Sequence, residues 1–448
     1  MIQTIRNAWK VPELRNKLLF TVFALLIFRV GAAIPVPFID TQMLGTYIQA
    51  QSASIFGLLN VMSGDAFAQA TVFALSIQPY INSSIIIQLL TIAIPALERL
   101  QKEGGEEGKK KIAAITRYAT VAIALIQAFG YYTFLRVGTN GTSLLTVSGI
   151  WPAFVIIAAF VAGSAFLMWL GEQITEFGIG NGISIILFAG IVARGPSMVS
   201  GIIGGVTNWA NGLDAKTYNV LHPAFIILIV AGMLLLVAFI VFMDNSERRV
   251  PVQYAKRVVG RKMYGGQSSH LPIKVNMSGV LPIIFAQSIA SIPATIGMFV
   301  PSAQVEGSGW HTFLDIFDTR GLPYCIVYFL LIILFSYFYN TIQFNPVEVA
   351  NNLKKNGGFI PGFRPGKPTS DFLSKVVSRI TMFGALYLAV VALLPTIVGN
   401  IMFALGSSAG RSLAIGGTSV IIVVGVALET VKALEAQLMM RHYKGFLE

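Results

Sequence analysis

Charge is scarce in this chain of 448 residues: 12% are Asp, Glu, Lys or Arg, against roughly 25% in an ordinary soluble domain. That excludes a typical cytosolic enzyme. Cysteine is scarcer still, since the single Cys325 cannot form an intrachain disulfide and sits in an apolar stretch, where it reads as a small packed hydrophobe. The four histidines, His222, His270, His311 and His442, lie at loops or at the ends of apolar runs without metal-ligand spacing, which leaves no candidate metal centre. Gly178, Gly180 and Gly182 in GIGNG follow no strand, and no Gly-Lys-Ser/Thr loop exists, so no nucleotide or other cofactor is expected. No nucleophile and base can be paired within the apolar stretches either, which argues against an enzyme.

What the chain has in abundance is apolar length: 55% of its residues are hydrophobic. Stretches long enough to cross a bilayer occur near residues 18–37, 71–97, 112–136, 151–171, 180–204, 220–243, 275–300, 322–344, 376–400 and 412–431. They predict an all-α polytopic membrane protein of ten transmembrane helices. The first stretch follows Arg6, Lys10, Arg15 and Lys17 and resembles a secretory signal, but it continues past Arg29 to Pro37 and further spans follow, so a retained first helix is the simpler account.

The scarce charges are unevenly placed. With the N-terminus in the cytoplasm, 26 of the 32 basic and 14 of the 20 acidic residues fall on the cytoplasmic side, and six of each fall outside. The outer basic set is Arg29, Arg136, Arg194, Lys216, Arg320 and Arg411; the acidic set is Asp40, Asp65, Asp214, Glu306, Asp315 and Asp318. The whole net charge of +12 therefore sits on one face, the positive-inside pattern for an even number of spans with both termini cytoplasmic.

Three features depart from a plain bundle. Residues 54–69 (SIFGLLNVMSGDAFAQ) are apolar, too short to span and broken by Gly57, Ser63, Gly64 and Asp65. They read either as a half-helix folding back into a cavity or as an amphipathic surface loop. Two loops, residues 244–274 and 345–375, are longer and more basic than the rest. Ten spans also divide into five and five, residues 1–206 and 207–448, and an odd number per half inverts the second half relative to the first, as where a path runs along a repeat interface.

The deep parts of the spans hold polar rather than ionisable groups: Gln78, Asn82, Ser83 and Ser84, then Gln127, then Gln287 and Ser288. Interhelical hydrogen bonds and a hydrated path both account for them. Arg29, Arg136, Arg194 and Glu172 fall near span ends, which weighs against the main alternative, an ion-coupled secondary transporter of small solutes. Ile77 and Ile81 share one helix face around a kink expected at Pro79, and Ile284 shares a face with Ser288. Such residues face lipid or core, or line an aliphatic constriction that excludes water and ions. In the first long loop, residues 248–262 (RRVPVQYAKRVVGRK) interleave basic residues with Val, Pro and Tyr254, which predicts extended structure with the charges outward. In the second, Arg364 stands in a Gly/Pro-rich tip that cannot be helical. Both loops fit a topogenic charge cluster or the docking of a soluble partner, including one that displays phosphates such as ribosomal RNA.

PELRNKLLFTVFALLIFRVGAAIPVP near the N-terminus, SIQPYINSSIIIQLL, GIGNGISI, VPVQYAKR with SSHLPIKVNMSGVLPIIFA, FIPGFRPGKPT and the late GGTS together resemble the SecY family of protein-conducting channels, from end to end. The resemblance implies two inverted five-helix halves clamped by a small partner, SecE, and usually accompanied by SecG, in the bacterial plasma membrane. The channel would be driven by the motor ATPase SecA or by the ribosome, with secretory preproteins and their signal sequences as clients and the lipid bilayer receiving hydrophobic segments through a side opening. By motif it implies a pore ring of Ile77, Ile81, Leu187, Ile284 and Ile422. It implies a plug at Ile55, Phe56, Gly57, Leu58, Leu59, Met62, Ser63 and Gly64. The lateral gate would hold Ser83, Ser84, Gln127, Gln287, Ser288 and Ile292. Docking for SecA or the ribosome would use Arg248, Arg249, Lys256, Arg257 and Arg364. Leu187 replaces the isoleucine common at its position, with volume conserved.

Overall fold

The structure is a computed structural model that describes residues 2–50, 55–102, 104–138, 143–211, 223–254, 257–259, 262–264, 268–300, 308–316, 321–404 and 416–444. Each of the ten apolar stretches contains helix among the described residues, and several are broken. The chain opens with α1 (Ile2–Lys10) and α2 (Pro12–Gly31), where Pro12 and Glu13 occupy the first turn, as suits a helix start. The first span ends at Gly31, not Pro37, and the chain turns through residues 32–40. Two short helices follow: α3 (Thr41–Ala50), whose first turn donates from Gln42 and Met43 N–H to the Asp40 carboxylate, and α4 (Ile55–Ser63).

The second span is shorter than its apolar stretch. Turns with positive φ at Asp65, Ala70 and Ser76 lead into α5 (Gln78–Ala93), and α6 (Pro95–Lys102) then bends away by 104°. Pro79 stands in the first turn of α5, where its missing N–H costs nothing, so it starts the helix and does not kink it. Then come α7 (Gly105–Val137), α8 (Ile150–Phe177), and a fifth span broken at Arg194 into α9 (Gly182–Ala193) and α10 (Gly195–Ala210). In GIGNG, Asn181 caps α9 by accepting from Ile183 and Ser184 N–H, and a side chain at Gly182 would overlap the Gly171 carbonyl of α8. The motif is a helix start that packs backbone on backbone, as small residues allow between membrane helices.

The second part holds α11 (Pro223–Asn245), then strands β1 (Glu247–Tyr254), β2 (Arg257–Val259), β3 (Lys262–Tyr264) and β4 (Ser268–Lys274). The seventh span is α12 (Leu281–Ala290) and α13 (Ile292–Gly297), followed by the short α14 (Gly309–Ile316). Next are α15 (Leu322–Gln343), α16 (Pro346–Lys355), β5 (Gly358–Phe359), α17 (Lys367–Ala404) and α18 (Gly416–Lys444). Among the described residues, α7, α8, α15 and α17 each carry an unbroken apolar window long enough to cross a membrane.

The largest buried cluster joins residues of α2, α5, α8, α9, α11, α12, α15, α17 and α18. A second, around Tyr131, Phe134 and Phe160, ties α3, α7 and α8 to the turns at residues 66–74. A third lies beneath the strands, and Ala8, Leu14, Ile179 and Leu434 form a fourth that docks α1 and α2 on α18.

Candidate functional site

Ile77, Ile81, Leu187, Ile284 and Ile422 come from α5 and its N-cap, α9, α12 and α18. All five belong to the largest cluster, each 4% exposed or less. The turn at Ser76, at φ +52, places Ile77 at the α5 N-cap, and Ile81 N–H closes the first turn on its carbonyl at 3.1 Å. Val280 plays the same part for α12, whose Ile284 N–H returns to it at 3.3 Å. The result is an apolar centre drawn from four separate segments. It can exclude water and ions without forming a bond to anything that passes.

The segment at residues 54–69 folds into that centre, with residue 54 itself outside the described residues. Ile55, Phe56 and Leu58 lie in the backbone of α4, Gly57 is buried, and Leu59 packs at the edge of the large cluster, which Met62 joins at 4% exposure. Ser63 Oγ donates to Asn60 O at 3.1 Å and accepts from Phe67 N–H at 3.0 Å, while Asn60 Oδ1 accepts from Ala68 N–H at 2.9 Å, which closes the helix into a compact knot. Gly64 takes φ +65, and a Cβ there would come 2.8 Å from the Gly190 carbonyl oxygen of α9. Of the two sequence readings, the inward half-helix is the one formed.

The side-gate residues divide. Gln78 Nε2 donates to Ser288 Oγ at 3.3 Å, which joins α5 to α12. Gln287, one residue earlier and 2% exposed, donates to Met62 Sδ at 3.3 Å and so touches the half-helix. Ser83 instead bonds Thr120 Oγ1 of α7 at 2.6 Å, which ties α5 to its sequence neighbour and not across to α12. Ser84 and Gln127 are half-buried and Ile292 is 45% exposed. A cavity of about 30 Å³ lies between Leu59, Met62, Ser76, Gln78, Gln127 and Thr295.

The two long basic loops form one structure. β1 pairs antiparallel with β4 from Glu247↔Lys274 to Gln253↔Ser268, and β5 of the second loop adds to its other edge through Gln253↔Phe359 and Tyr254↔Gly358. Along β1, Val250 and Val252 point into a core with Ile273, Leu353, Ile360 and Leu373, while Arg248 and Arg249 are exposed. Arg249 Nε reaches Glu247 at 2.8 Å. Arg364 is exposed in the turn at residues 361–366, steadied by Thr369 Oγ1 donating to its carbonyl at 2.8 Å and by the Phe363 and Phe372 rings at 4.2 Å. Arg257 opens β2, paired with Tyr264 of β3, and Lys256 lies outside the described residues.

Two features escape a linear reading. At the root of the sheet, Asn276 Nδ2 donates to Asp244 Oδ1 at 2.8 Å and Lys432 Nζ of α18 to the Asp244 carbonyl at 3.3 Å. Gly279, at φ +61, leaves room for the Glu429 carboxylate of α18. Around the half-helix, Asp65, Arg29 and Arg194 come together. Their only common mark in sequence is that all three belong to the sparse outer charges. Among the described residues no group of His, Cys, Asp and Glu could hold a metal ion.

Comparison with known proteins agrees with this geometry. The SecY family model matches residues 71–431. The chain is 44% identical to the protein translocase subunit SecY of Streptomyces coelicolor over 460 aligned residues, covering 100% of both. It also superposes on a solved structure of a SecY protein whose plug domain is described as stabilising the closed state and maintaining a membrane seal, with TM-score 0.63, 17% identity and coverage of 94% and 92%. Sec61 in the canine ribosome-channel complex matches with TM-score 0.61 and 16% identity over 94% and 92%. With a multi-pass helical fold, an aliphatic centre fed by four helices and a half-helix turned into it, the chain is a ten-span membrane protein of the SecY family.

Proposed function

We propose that this chain is the protein-conducting channel of a translocase, passing unfolded secretory polypeptides across the bacterial plasma membrane and releasing hydrophobic segments sideways into the bilayer. The observation that carries the reading is the gathering of Ile77, Ile81, Leu187, Ile284 and Ile422 with Met62 of the half-helix in one dry cluster. Aliphatic side chains seal around any passing residue because they offer nothing to bind, whereas a coupled small-solute transporter needs ionisable groups along its path. Residues 54–69 act as the plug beneath that ring. The two halves, residues 1–206 and 207–448, part along the Gln78–Ser288 contact, with Ser84, Gln127, Gln287 and Ile292 on the walls of the opening.

The basic sheet faces the cytoplasm together with both termini. Arg248, Arg249, Lys256, Arg257 and Arg364 are its docking points for SecA or for a ribosome, whose RNA phosphates suit exposed arginines. SecE and SecG complete the translocase, and signal sequences of preproteins enter beside α5 and α12. The test is ion conductance in planar bilayers. Replacing Ile81, Ile284 and Ile422 together with Gly should raise idle conductance, and unchanged conductance would refute their role as a seal.

A further inference from the structure

The half-helix is held at one end by charge. Asp65, two residues beyond it at φ +71, accepts from Asn60 Nδ2 at 2.9 Å, and its Oδ1 also lies 3.0 Å from Arg194 Nε, off the N–H axis, so this second contact is ionic. Arg29 Nη1 donates to the Gly64 carbonyl at 3.4 Å. That carbonyl sits just past the C-terminus of α4, where the helix dipole favours a cation. Both arginines end helices that flank the half-helix, Arg29 in the last turn of α2 and Arg194 at the C-cap of α9. Between them, Gly64 and Gly190 pack backbone to backbone, so the carboxylate has little freedom to leave its partner while α4 stays in place. By contrast, the polar contact described between the half-helix and α12 is the soft one of Met62 Sδ with Gln287.

We infer that Asp65 and Arg194 form a latch, with Arg29 as its second post, that positions the plug in the closed channel and ties it to α2 and α9. The inference rests on reading residues 54–69 as the plug. A side-chain pair about 30% exposed, at 27% and 31% here, is of the strength that shifts an equilibrium by about two- to fivefold. The latch therefore sets the resting leak without preventing opening.

The test is idle conductance of the reconstituted full-length translocase carrying Asp65→Asn, Arg194→Gln or both. Asn keeps the acceptor for Asn60 and tolerates the positive φ. Each single change should raise conductance about two- to fivefold, and the double variant should leak no more than the leakier single, the mark of one shared contact. Arg194→Lys, which keeps the charge, should stay nearer to the unaltered channel than Arg194→Gln. In a channel lacking residues 55–69, Arg194→Gln should change nothing. The latch is overturned if the single variants leak like the parent, if their effects multiply, or if Arg194→Gln leaks equally without the plug. If removing residues 55–69 leaves conductance unchanged, the plug reading falls and the latch with it.

Discussion

The aliphatic centre and the basic sheet solve opposite problems. Ile77, Ile81, Leu187, Ile284 and Ile422 are buried and offer no hydrogen bond, whereas Arg248, Arg249 and Arg364 are exposed and offer several donors each over a small apolar core. A seal around unknown sequence has to be indifferent to what it touches. A docking surface, the role proposed for the sheet, has to discriminate. The chain keeps the two chemistries apart: the aliphatic residues sit in the buried cluster, and the arginines stand exposed on the sheet and its neighbouring turn.

That comparison can be broken from either side. The largest effect is expected at the centre, where truncating a buried aliphatic side chain costs about 2–5 kcal/mol. The triple change of Ile81, Ile284 and Ile422 to Gly should leak ions yet bind SecA within about twofold of the parent in a detergent pull-down. Lost binding would show that the two regions are not separable. Next, Arg364→Glu should cost about 2 kcal/mol or more of docking, roughly thirtyfold, as at a charged hot spot. Preprotein transport into reconstituted vesicles should collapse while idle conductance stays put; full transport would remove Arg364 from the dock.

Smaller changes sharpen the boundary. Gly64→Ala forces a Cβ toward the Gly190 carbonyl at φ +65, a left-handed conformation that costs about 1–2 kcal/mol. Idle conductance should rise severalfold, and a tight channel would mean that α4 does not need this seat. Smallest is Ser83→Ala, which removes the bond to Thr120 within one half and should cost about 0.6 kcal/mol of stability. Conductance and lateral release of a hydrophobic segment should both persist, and impaired release would place Ser83 on the gate after all.

Much of this was legible in the residues. Each of the ten apolar stretches holds helix among the described residues, RRVPVQY became a strand with alternating burial, and the Gly/Pro tip around Arg364 stayed non-helical, because length, period and turn chemistry are local properties. Pro79 misled because the same residue kinks a helix from within or starts one at its first turn, and only the turns at residues 70–77 decide which. The pairing of Tyr254 with Gly358, the Asp244–Asn276–Lys432 junction and the approach of Arg194 to Asp65 were invisible. Each joins segments tens to hundreds of residues apart, where no periodicity reaches.

The edge pairing of β5 on β1 has a mechanical consequence. The first loop is the link between α11 and α12, and the second is the link between α15 and α17. Stitched edge to edge, they brace four helices into a single handle. A push on Arg364 at one tip is shared through the Tyr254–Gly358 seam with β1, and through the β1–β4 ladder with the strand that leads, ten residues beyond Lys274, to Ile284. A force applied to either loop is thereby felt by both.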